Sequence, residues 1–133
     1  MRKEKKPHVI LKIFNRNGGE GEFTKIITEE NQSSYTAQLK GLPEEEKGLI
    51  IYKKDENNWF LITKSRVRFA SEGIGYELFL EDVDSVGYCR ESFEAYSTKF
   101  RLSDKNGHDY IVHFDKKDDF ITMTQTIYFW NQR

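Results

Sequence analysis

Few residues in this chain have the chemistry to make or break bonds. The histidines are His8, His108 and His113, and the single cysteine is Cys89. His108 and His113 stand five apart, so a regular strand turns them to opposite faces, a poor geometry for a shared metal. No second cysteine or cluster of acids stands beside them, and no metal site is expected. Asp84 or Glu81 can be paired on paper with His113 as acid and base, but nothing in the spacing requires it. Cys89 precedes Arg90, whose charge would favour a thiolate. A nucleophilic thiol also needs a base within reach, and the spacing supplies none. Ser33, Ser65 and Ser97 lack the strand–turn–helix setting of a nucleophile elbow. Gly18-Gly19-Glu20-Gly21 has no Lys-Ser/Thr after it, so it reads as a flexible loop and not as a phosphate cradle. The expectation is a chain with no catalytic residues and no cofactor.

Binding chemistry is better represented. Lys53, Lys54, Lys64, Arg66 and Arg68 gather around one hairpin, where a phosphate or an anionic lipid surface would be met by several cations. Asp55 and Glu56 in the same loop oppose that field, and Arg66-Val67-Arg68 on a strand reads as an outward, solvated face. Among the aromatics, Phe129 falls off the main apolar stripe of its helix. With Tyr35 or Phe93 it is the candidate for an exposed protein-binding patch.

The composition narrows the classes further. The 133 residues suit one domain, and 14% aromatic content supplies a packed core. The 21 basic and 22 acidic residues are interspersed, giving a net charge of −1. A duplex-binding domain concentrates a basic excess on one element, so nucleic acid is not an expected partner. Residues 1–7 read as a solvated tail, because the apolar run after them is short, broken by Lys12 and followed by no cleavage site. No stretch approaches the ~20 apolar residues of a membrane span. With one cysteine and no internal disulfide, the expected location is cytoplasmic.

The elements that must position these residues are mostly strands. Leu49 to Tyr52 and Trp59 to Thr63 form a hairpin across Asp55-Glu56-Asn57-Asn58, apolar enough to be buried on much of both faces. Period two then places Val67 and Phe69 inward. After a loop at 71–75, Tyr76, Leu78 and Leu80 alternate with Glu77 and Phe79. A second hairpin runs from Glu94 to Leu102, turns at Asp104-Lys105-Asn106-Gly107, and returns with Tyr110, Val112 and Phe114 inward. A helix over about 116–132, capped by Asp115, follows from Phe120, Met123, Ile127 and Trp130 at steps of three and four, with Ile121, Thr124 and Tyr128 widening the stripe. Its threonines lower intrinsic propensity, so packing must hold it. In the first 42 residues, Val9 to Phe14 reads as a strand, Phe23 to Ile27 as a strand or helix start, and 29–40 as a helix stopped at Gly41.

The segment Trp59-Phe60-Leu61-Ile62-Thr63-Lys64-Ser65-Arg66-Val67, followed by Leu80-Glu81-Asp82-Val83-Asp84-Ser85-Val86, resembles bacterial pleckstrin-homology-like and GRAM-like domains over about residues 47–133. The resemblance implies a mainly β, α+β fold: a bent antiparallel sheet or open barrel of six to seven strands capped by the C-terminal helix. Residues 1–42 would be an extension packed on a core of 43–133, within one domain and with a strand of its own to give. The fold hosts lipid binders, peptide binders and adaptors alike. The expected function is a non-catalytic module for protein–protein interaction, of the inhibitory or immunity type. The alternative is anion or lipid binding through the five basic hairpin residues.

Overall fold

The structure, a computed structural model, describes residues 2–89 and 98–133. It is mainly β. Among the described residues, eight strands form two antiparallel sheets, and three helices accompany them. In chain order the elements are α1 (Pro7–Arg16), β1 (Thr24–Ile26), α2 (Thr36–Leu39), β2 (Ile50–Asp55), β3 (Asn58–Ile62), β4 (Arg66–Ser71), β5 (Ile74–Phe79), β6 (Val83–Tyr88), β7 (Lys99–Asp104), β8 (Asp109–His113) and α3 (Lys117–Asn131). The first sheet has the order β1-β2-β3-β4-β5 and the second β6-β7-β8. A 3-10 turn at Leu80–Asp82 carries the chain from one to the other, and the two do not close into a barrel. Among the described residues, those after 43 supply seven strands, and the extension adds β1 as an eighth.

The hairpins follow the pattern of the sequence. Ile50, Tyr52, Phe60 and Ile62 face a core shared with Val67, Phe69, Phe100, Leu102, Phe114 and the α3 residues Met123, Ile127 and Trp130. Ile51 and Leu61 point the other way and are buried too. The segment before β2 covers them: a Cβ on Gly48 would meet Leu39, Ile27 and Leu61 side chains. The loop expected at 71–75 is tighter in the fold. Ser71 pairs with Ile74 across Glu72-Gly73, with φ of 51° and 84°, the two left-handed residues of a type I′ hairpin turn. Of the strand expected from Glu94, β7 begins at Lys99, and residues 94–97 lie outside the described residues.

Four expectations are corrected. Val9 to Phe14 is helical, not a strand: Pro7 opens α1, and Ile10 and Phe14, one turn apart, are its buried residues. A short apolar run carries no period of its own, and the i, i+4 pair won once α3 offered a surface. The helix over 29–40 shrinks to a 3-10 turn at Gln32–Tyr35 and the four residues of α2, ending before Gly41 at φ 83°. Asp115 does not cap α3; the N-cap is Lys116 with no side-chain bond, while the Asp115 N–H donates to the Tyr52 hydroxyl at 2.8 Å. Ile121 is exposed and does not widen the stripe. Thr124 is buried as expected, and Thr122 and Thr126 take the place of Ile121 on the buried flank; Thr122 donates to the Asn17 carbonyl at 3.0 Å just beyond α1. Packing against α1 thus holds a helix whose threonines would not hold it alone.

Candidate functional site

The basic hairpin is neutralised from within. Lys53 pairs with Glu56 at 2.5 Å and Lys54 with Asp115 at 3.5 Å. Arg66 lies 2.7 Å from Glu46 and 3.3 Å from Glu77, and Arg68 lies 2.5 Å from Glu77. Arg68 also donates to the carbonyls of Gln38 and Lys40. The two arginines do point away from the core, as period two requires, but their side chains are only 12% and 15% exposed. The segment around α2 and the buried Glu46 cover them, so they are not a solvated face. Lys64 alone of the five has no ion pair among the described residues. Burial acts on Glu46 first and pushes its carboxyl up. Hydrogen bonds from Arg66, Thr63 and Ser65, with the Arg66 charge, reverse this and hold it below the ordinary carboxylate value.

The other sequence candidates are dispersed. Tyr35 is half-buried with the Lys53 ammonium 5.7 Å from its ring, and Phe129 is half-buried under Lys5 at 5.5 Å. Phe93 lies outside the described residues. His108 and His113 are exposed, with His108 Nδ1 3.2 Å from Asp104 Oδ2. Asp104 also accepts from the backbone N–H groups of His108 and Asn106 and from the Tyr110 hydroxyl, bonds that organise the β7–β8 turn and keep its carboxyl below the ordinary range. Cys89 is buried. No three of His, Cys, Asp and Glu are grouped to hold a metal among the described residues. The glycine loop is packed, not loose: a Cβ on Gly21 would fall 2.0 Å from Asp119 Oδ1 at the start of α3.

What sequence reasoning missed is the edge of the first sheet. Among the described residues β5 pairs only with β4. The Leu80 N–H bonds the Ser65 carbonyl at 2.8 Å, which fixes the alternation. By that register Ile74, Tyr76 and Leu78 bond β4, while Gly75, Glu77 and Phe79 direct their N–H groups outward. The same strand exposes Ile74 by 59%, Phe79 by 40% and Tyr76 by 38%. Among the described residues the other exposed large apolar side chains are Ile111 on β8 and Ile121 on α3. Tyr76 packs on Phe69 and, across the gap between the sheets, on Tyr110 of β8, each at 5.3 Å between ring centroids. Arg66 lies 4.5 Å over the Phe79 ring and steadies it. The alternation that sets Phe79 opposite Leu78 was visible in the sequence; that β5 ends a sheet was not.

No helix among the described residues is long and apolar enough to cross a membrane. No family model matches the chain, and no curated protein or solved structure does.

Proposed function

We propose that this protein is a non-catalytic binding module of pleckstrin-homology-like architecture that works in the cytoplasm by protein–protein interaction, with β5 as the strand its partner engages. One observation carries the reading. An edge strand with no second neighbour among the described residues bears three of the exposed large apolar side chains, Ile74, Tyr76 and Phe79. Natural proteins blunt such edges with charge, proline or cover unless a partner completes them. A partner segment added to β5 would gain backbone hydrogen bonds from Gly75, Glu77 and Phe79 and side-chain contacts on both faces. An inhibitory or immunity-type protein, which acts by occupying its target, needs no more than that. The alternative of anion binding at the basic hairpin is disfavoured by the carboxylates that already pair with Lys53, Lys54, Arg66 and Arg68.

The test is parallel capture from the native cell extract with the wild-type chain and an Ile74→Asp, Phe79→Asp double variant. Both side chains are exposed, so the variant should melt within a few degrees of wild type. The expected result is a stoichiometric protein held by wild type through moderate salt and lost by the variant. A partner retained equally by both would refute β5 as the site, and an empty capture with wild type would count against the interaction itself.

A further inference from the structure

The segment from Arg2 to Lys6, which the sequence presents as a solvated tail, is tied to the fold. Arg2 Nη1 donates to the Leu80 carbonyl at 2.9 Å, the Val83 carbonyl at 3.2 Å and Asn131 Oδ1 at 2.9 Å, and its Nη2 donates to the Asn131 carbonyl. Lys5 donates to the Gln132 carbonyl while resting over Phe129. A groove of about 490 Å³ opens between this segment, the start of α1 and the end of α3, lined by Arg2, Lys3, Lys5, Lys6, Val9 and Arg133 among others. That volume lies within the range of small-ligand sites, about 300–1,000 Å³.

Its charge is one-sided. Five cationic side chains surround the groove with a single acidic side chain, Glu4. None of the five enters an ion pair among the described residues, in contrast to the basic hairpin. The side chains of the patch therefore sum to +4 where those of the whole chain sum to −1, leaving −5 for the rest. No acid stands in the first turn of α1, so the positive end of that helix adds to the field. Burial and the charge of Arg133 hold the Arg2 guanidinium below its ordinary value, and burial and Arg2 do the same to Lys5. Between these charges the walls are apolar, made of lysine methylene stems and Val9. A dianion would satisfy the cations but leave those walls wet. A neutral alkyl chain would cover the walls but leave the cations unmatched.

We propose that this groove binds a phosphate monoester carried on a short alkyl or aryl stem, with the phosphate among Lys3, Lys5, Lys6 and Arg133 and the stem along Val9. Arg2, spent on backbone carbonyls, positions the segment and does not need to touch the ligand.

The test is an NMR titration of the full, untagged chain with octyl phosphate, beside inorganic phosphate and octyl glucoside. Octyl phosphate should move the amides of Lys5, Val9 and Gln132 saturably and bind at least tenfold tighter than either control. Added salt should weaken it. A Lys3→Gln, Lys6→Gln variant, at exposed side chains with no ion pair among the described residues, should lose roughly fivefold in affinity per charge removed. The Ile74→Asp variant alone, at the end of β5 that shares no cavity with Arg2 or Glu4, should bind it as wild type does, which separates this site from the β5 edge. Equal affinity for octyl glucoside, equal affinity for inorganic phosphate, an unaffected lysine variant or unmoved amides would each overturn the proposal.

Discussion

Glu46 is buried with both carboxylate oxygens engaged: Thr63 donates to it at 2.8 Å, Ser65 at 3.1 Å and Arg66 through Nη2 at 3.0 Å, with the Arg66 Nε charge 2.7 Å away. These bonds hold its folded pKa below the ordinary, unfolded value. A depressed carboxyl contributes stability that is present above the unfolded pKa and lost as pH falls through the folded one. Stability should therefore decline as pH drops below about 4.5. Glu46→Gln cannot serve the Arg66 fork and should cost about 2 kcal/mol at pH 7. Urea denaturation at pH 7 and pH 3 checks both points. The gap between the proteins should narrow at pH 3, and a gap independent of pH would contradict this account. At this scale the sequence was half legible. Period two placed Arg66 and Arg68 outward, but Glu44, Glu45 and Glu46 are indistinguishable as letters. Only the strand they meet selects one of them to be buried.

Elements with a sustained period were readable. The hairpin that turns at Gly107, where φ is 85°, and the helix carrying Phe120, Met123, Ile127 and Trp130 appear where the patterns put them. Elements whose identity depends on a distant neighbour were not. Val9 to Phe14 satisfies strand and helix alike until Ile10 and Phe14 meet the core. The glycine loop looked flexible because the residue that fixes it, Asp119, lies about a hundred positions on. Asp119 Oδ2 accepts from the Phe23 N–H at 3.2 Å while Oδ1 lies against Gly21. A Gly21→Ala change must displace that carboxylate from its bond. It should destabilise the protein by about 1–3 kcal/mol, read as a lowered urea midpoint with an unchanged slope. The same change at Gly75, where an added Cβ meets nothing, should cost markedly less.

At the scale of the molecule, function resides in what the topology leaves over. The two sheets stay separate, so among the described residues β5 keeps an open edge, and Tyr76 and Tyr110 meet across the gap beside it. Neither fact could be read from residues 74–79, where Ile74 fell in a loop and Phe79 was an outward alternate. Charge behaves in the same way. An even scatter of signs along the chain becomes a basic groove in one place and ion pairs in another, because folding brings Arg133 to Arg2 and Glu46 to Arg66. The most direct measurement is residue-resolved amide hydrogen exchange on the protein alone and with its captured partner bound. The proposed docking predicts rapid exchange at Gly75, Glu77 and Phe79 in the free protein and strong slowing in the complex, with β1 and β8 little changed. Slowing confined to other surfaces, with the outward amides of β5 unaffected, would contradict it.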